Sequence, residues 1–248
     1  LAGTRALRPG LREYEVEACF RNDGLPLACH NMTSFGAKAA QGLASPSARQ
    51  AELGDAFTMA QGLWGSLTAR AGVIAADGAE LAPELREFYP AFVGNYFDAV
   101  TAWYEALKVG TTGGAVYAAV EARLNPRVLR LALNPGHTIH LDEWVDSPFC
   151  LGSTQMLGSG LALQMDMIPV SQGPFCVANV EDGVVLADEA LRGELADRYP
   201  ALWRRVEARR EFMREVLGIR LDASVLPLGN TPSYLNPFAL AHEKALVC

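Results

Sequence analysis

Two histidines and two acids crowd one short stretch, Pro135-Gly136-His137-Thr138-Ile139-His140-Leu141-Asp142-Glu143-Trp144. Imidazole beside carboxylate is the chemistry of proton transfer near neutral pH and of metal ligation. Read as a strand, this segment sends His137 and His140 to opposite faces and puts His140 and Asp142 on the same one. Gly136 leaves room for backbone to approach a ligand beside His137. One hydrogen-bonded core histidine and one surface histidine is the plainer alternative. Asp166 is a sharper signal. It interrupts Leu161-Ala162-Leu163-Gln164-Met165-Asp166-Met167-Ile168-Pro169-Val170, which otherwise reads as a buried strand. A carboxylate there needs a cation, a donor or a metal, because burying it unpaired is costly. Glu181 precedes another apolar strand, Gly183-Val184-Val185-Leu186-Ala187, and either points inward for the same reason or is a simple turn acid. Cys29-His30 suggests a thiol nucleophile, but neighbours in a strand point apart, so the pair is not expected to act together.

The elements that must hold these groups come in two copies. Leu7-Arg8-Pro9-Gly10 and Val16 find matches in Leu107-Lys108-Val109-Gly110 and Val116. Gly54-Asp55-Ala56-Phe57-Thr58-Met59-Ala60 aligns with Gly160-Leu161-Ala162-Leu163-Gln164-Met165-Asp166. Such a repeat predicts two similar αβ halves about a pseudo-twofold axis. The halves are chemically unequal, because Asp166 matches Ala60. Amphipathic helices are expected over 11–20, over about 90–108 and over 115–124, with a last one over 200–217 closed by Gly218. The segment 24–36 reads as strand and turn, and 37–53 as a loop around Pro46. A hairpin is expected over 57–67, turning at Gly62 or Gly65. Strands are expected over 128–134, 137–144, 162–170 and 175–186. Three prolines, Pro227, Pro232 and Pro237, make the tail extended.

Composition narrows the function classes. Half of the 248 residues are hydrophobic, which excludes a disordered chain. No apolar run approaches the ~18 residues of a membrane span, so no membrane partner is expected. The net charge of −7 argues against a nucleic-acid partner. Five scattered cysteines without a CxxC pair predict reduced thiols and a cytoplasmic protein.

In order, these segments resemble the pita-bread family of aminopeptidase P, creatinase and methionine aminopeptidase. Arg8-Pro9-Gly10-Leu11-Arg12-Glu13-Tyr14-Glu15-Val16 is similar to the family's opening helix signature, and Leu53-Gly54-Asp55 to its Gly-Asp turn. Gly136-His137-Thr138-Ile139-His140 is similar to its Gly-His-Gly-Ile-Gly strand. Ser159 to Pro169 resembles its Gly-Met-Val strand ending in Glu-Pro, and Glu181-Asp182-Gly183 its closing Glu-Asp strand. The resemblance implies an α+β fold of two pseudo-symmetric halves around a curved antiparallel sheet. That domain would span residues 1–188, and 189–248 would form an added helix and extended tail packed on it.

The family's peptidases hold two divalent metals with two Asp, one His and two Glu. On this sequence the resemblance puts the His ligand at His137 and the Glu ligands at Asp166 and Glu181. The two Asp positions fall on Ala60 and Leu67. The family's substrate-side histidines fall on Leu43 and near Trp144. Arg70 falls beside the second metal strand, where it either pairs with Asp166 or Glu181 or is a surface arginine. Two metals need several carboxylates against about four positive charges, so a dinuclear centre is not expected. The alternatives are no cofactor, or one divalent metal on His137, Asp166 and Glu181. The resemblance implies a hydrolase of C–N bonds acting on a small amine- or guanidine-bearing substrate or a peptide N-terminus. His137, Asp166 and Glu181 would be catalytic, with His140, Asp142, Arg70 and Trp144 around the substrate. A catalytically inactive module of the same fold, binding a ligand or protein, is the alternative. A homodimer is a further implication.

Overall fold

Paired glycines locate the duplicated frame. Gly10 and Gly110 adopt φ of 89° and 86°, and Gly54 and Gly160 adopt 85° and 86°, a region open at little cost only to glycine. The computed structural model, which describes residues 1–42 and 44–248, repeats the backbone bonds around them. Gly10 N–H donates to Ala51 O (2.8 Å) as Gly110 N–H does to Leu157 O (2.9 Å). Gly54 N–H donates to Ile74 O (2.8 Å) as Gly160 N–H does to Leu186 O (2.7 Å). Each copy then starts a helix, α2 (Glu13–Glu17) and α4 (Gly113–Glu121), whose inward valines Val16 and Val116 are fully buried. A short α1 (Ala2–Ala6) precedes the first copy.

One antiparallel sheet joins the halves. Its path runs β1 (Met32–Phe35), β2 (Ala56–Leu63), β3 (Ser66–Val73), then β8 (Asn179–Leu186), β6 (Ala162–Met165) and β5 (His137–Thr138). The strand β8 bridges the two halves. Its start pairs with β3, setting Glu181 opposite Ala69, and its end pairs with β6, setting Asp182 opposite Met165. A small sheet of β4 (Leu129–Leu131) and β7 (Pro169–Ser171) lies apart. Residues after 188 form α5 (Glu189–Arg198), α6 (Pro200–Glu211), a π-turn over Phe212–Val216 and β9 (Val225–Pro227), which pairs with β8. Among the described residues no helix is long and apolar enough to cross a membrane.

The main core lies between the sheet and α3 (Pro83–Ala106). Tyr89, Phe92, Tyr96, Val100 and Trp103 pack on Leu163, Met165, Val180 and Val184. This helix starts earlier than the expected 90–108. Pro83 occupies its first turn, where the missing N–H costs nothing, and Pro90 lies inside it. The first helix shrinks to five residues because Ala18 and its successors turn away. The hairpin is longer than expected, β2 and β3 having eight residues each, with Gly65 at the turn (φ 78°). The strand expected over 137–144 stops at Thr138, and that over 175–186 begins at Asn179. The strand expected over 162–170 divides between β6 and β7. Buried Glu13 ties α2 to the loop after β1. It accepts from Phe35 N–H (2.8 Å), Ser47 N–H (2.7 Å) and the Lys38 ammonium (2.6 Å).

Candidate functional site

Two residues of α3 set the acid-bearing strands from behind. The Tyr96 hydroxyl donates to Met167 O (3.1 Å) and accepts from Val180 N–H (2.9 Å). It thereby spaces the residue after Asp166 from the residue before Glu181. Trp103 Nε1–H donates to Pro135 O (2.7 Å) and fixes the approach to His137. Gly136 has φ of 99°, and a Cβ there would lie 2.7 Å from Gln164 O. Only glycine lets β5 pair this closely with β6, His137 opposite Gln164.

The sheet brings His137, Asp166 and Glu181 together. The imidazole is 2% exposed. Its Nδ1 lies 3.1 Å from Thr138 O. A carbonyl can only accept, so Nδ1 carries a hydrogen and Nε2 faces inward. Nε2 stands 3.1 Å from Glu143 Oε1, 3.6 Å from Glu181 Oε1 and 3.7 Å from Asp166 Oδ2. None of these contacts is aligned as a hydrogen bond, and Nε2 and Asp166 Oδ1 are buried without a partner. Glu181 Oε1 accepts from Gln164 Nε2 (3.2 Å), which also donates to Leu67 O (2.8 Å). Across the neighbouring strands the register runs Met32, Ala60, Ala69, Glu181, and the first three join Leu67 in an apolar cluster with Cys29 against it.

Burial pulls the His137 imidazolium down, but Glu143, Glu181, the Thr138 carbonyl and Asp166 outweigh it and push its pKa up to about 10. Without another cation these acids favour the protonated form of His137. Burial raises Asp166 to about 6 against the pull of His137. Burial and the Asp166 charge raise Glu181 to about 8.

The other predicted residues are placed differently. His140 and Asp142 were expected to share a strand face at the rim. The strand ends before them, both are exposed on the bend that follows, and backbone joins them, His140 N–H to Asp142 O at 3.2 Å. Trp144 is 54% exposed, its ring centroid 6.1 Å from that of His137. Arg70 pairs with neither Asp166 nor Glu181. Its Nη2 donates to both Asp182 oxygens at 2.9 and 3.1 Å. The reason is parity: Ala69 faces the site with Glu181, so Arg70 and Asp182 share the other side of the sheet. Leu43 lies outside the described residues.

Glu143 is the residue that sequence reasoning missed. With His137 and Glu181 it forms a group whose ligand atoms all lie within 4.8 Å of one another, in place of the expected His137, Asp166 and Glu181. It was visible in sequence only as an acid next to Asp142. An imidazole nitrogen buried without a partner among carboxylates suits one divalent cation, and the residues present fit that single ion.

No family model matches the sequence, and no curated protein matches it. Solved structures do. The Xaa-Pro dipeptidase from Bacillus anthracis superposes with a TM-score of 0.56 at 21% identity, over 75% of this chain and 53% of its own. The prolidase from Pyrococcus horikoshii gives 0.57 at 16% identity, over 75% and 54%. The aminopeptidase PepP of Pseudomonas aeruginosa gives 0.57 at 18% identity, over 75% and 49%. The chain thus spans about half the length of the structures it matches. In architecture, this chain has the α+β pita-bread fold of the Xaa-Pro peptidases.

Proposed function

We propose that the chain is a hydrolase of the C–N bond in a small amine- or guanidine-bearing substrate or a peptide N-terminus, working without a dinuclear metal centre. One observation carries this reading: an imidazole and three acids converge next to an apolar cluster that includes Ala60 and Leu67. The acidic side attracts a cationic amine or guanidine, and the apolar side suits its carbon body. Asp166 takes the proton of the attacking water and passes it to the departing nitrogen, a step that leaves Glu181 ionised and available as a ligand. A divalent cation on His137, Glu143 and Glu181 would polarise the scissile carbonyl and acidify water when bound. That the solved structures sharing this fold are a dipeptidase and a prolidase supports the bond class, and the five free cysteines support a cytoplasmic setting. The homodimer expectation rests on the family resemblance alone.

A second reading has its own observation. Ala60 and Leu67, onto which the resemblance puts the family's Asp ligands, belong to an apolar cluster, which suits a catalytically inactive module that binds a ligand or a protein. A turnover screen separates the two. Purified protein would be offered Xaa-Pro dipeptides, longer peptides and amides bearing amines or guanidines. The hydrolase reading expects release of free amine, reduced by about 10²-fold or more in Asp166→Asn and in Glu181→Gln. Binding of cationic ligands with no turnover across the panel would leave the inactive module standing instead.

A further inference from the structure

We propose that Glu143 is a metal ligand, completing with His137 and Glu181 a site for one divalent cation on one side of the cleft. The inference rests on the same site as the hydrolase reading and specifies what occupies it.

Acceptors meet acceptors in this site. The hydrogen on Nδ1 is committed to Thr138 O, so the Nε2 of a neutral His137 points a lone pair at three carboxylates. In the ion-free protein a proton on Nε2 relieves that repulsion but finds no aligned acceptor, whereas a divalent cation can bond the nitrogen and the carboxylates together. A divalent ion bonded at about 2.0–2.2 Å sets its ligand atoms roughly 3–3.5 Å apart. The Nε2 separation from Glu143, 3.1 Å, falls within that spacing, and that from Glu181, 3.6 Å, lies 0.1 Å beyond it. One imidazole and two carboxylates carry two negative charges, which balance a single divalent ion.

The loop that carries Glu143 is built to hold it there. Thr138 N–H donates to Asp146 O (2.7 Å), Val145 N–H to Thr138 O (3.3 Å) and the Ser147 hydroxyl to Gly136 O (2.6 Å). These bonds close residues 139–145 into a turn folded back over His137. Its side chain is one-quarter exposed at the mouth, whereas His137 and Glu181 form the buried floor. Gln164 orients the Glu181 oxygen from outside the ligand ring and ties it to the Leu67 carbonyl, the usual place of a supporting partner. Asp166, 3.7 Å from Nε2, lies outside the group of mutually close ligand atoms and keeps its Oδ1 unpartnered to accept a proton.

Chelator-stripped full-length protein would be titrated with Co²⁺, reading the visible d–d band and the cobalt content per chain. Glu143→Gln removes one charge from a partly exposed position, and Asp142→Asn is its exposed neighbour and control. Thermal unfolding confirms that both variants are folded. The expected result is one equivalent of Co²⁺ in the wild type. Glu143→Gln should bind at least about 10-fold more weakly with an altered band, and Asp142→Asn should match the wild type. Equal affinity for wild type and Glu143→Gln would overturn the proposal. So would two equivalents, or no binding at millimolar Co²⁺, in which case a proton on Nε2 fills the gap. Because no turnover is read, the two readings fail separately. One bound cobalt with no hydrolysis removes only the hydrolase reading, and chelator-resistant hydrolysis with no cobalt bound removes only this one.

Discussion

Replacing Arg70 with Met tests whether this residue serves the candidate site or the back of the sheet. Its guanidinium bonds both oxygens of Asp182 and the carbonyls of Thr231 (2.6 Å), Tyr234 (2.9 Å) and Glu181 (3.1 Å). Asp182 is fully buried, and its remaining donor is Ser233 N–H at 2.9 Å. Burial pushes the Asp182 pKa up despite Arg70. Removing the arginine strands that carboxylate, at a cost of about 3–5 kcal/mol. For a chain of this size that lowers the melting temperature by about 6–20 °C. The segment after Leu228 loses its clamp and should be cut faster by a non-specific protease. Adding Asp182→Leu removes the stranded charge and should recover at least about half of the loss. Urea denaturation of the wild type, both single variants and the double variant gives the coupling energy. A loss below about 1 kcal/mol for Arg70→Met, the value of an exposed ion pair, refutes the reasoning. Simple additivity in the double variant refutes it as well.

Two further outcomes follow from the site. In protein stripped of divalent ions, the folded state holds protons that the unfolded chain has lost. His137 is raised from its ordinary 6.5 to about 10, and Glu181 from 4.5 to about 8. Both shifts make stability greatest at low pH and falling as pH rises between about 5 and 10. Melting temperatures across that range should decline, and Glu181→Gln should flatten the lower part; a rise toward pH 10 contradicts the assignment. Gly136→Ala forces a Cβ to within 2.7 Å of Gln164 O and 3.2 Å of Trp103 Nε1 at φ of 99°. It should cost about 2 kcal/mol or more and weaken Co²⁺ binding by moving His137; unchanged melting and binding would show that β5 tolerates the shift.

What sequence alone determined was the frame and the floor of the site. The duplicated glycines need a backbone conformation that few other residues adopt, so matching Gly10 with Gly110 and Gly54 with Gly160 already matched two local folds. Asp166 could be singled out because a carboxylate in an apolar strand is expensive wherever that strand goes. The tertiary structure decided the rest. Assuming a strand from 137 to 144 assigned His140 and Asp142 to the rim by alternation, but pairing with β6 ends at Thr138 and the chain turns back. That return places Glu143 over His137, a contact created by loop closure and carried by no periodicity. The partner of Arg70 likewise depends on the register of β3 against β8. Residue spacing along one element is set by local geometry, whereas which charge meets which across strands is set by packing between segments a hundred residues apart.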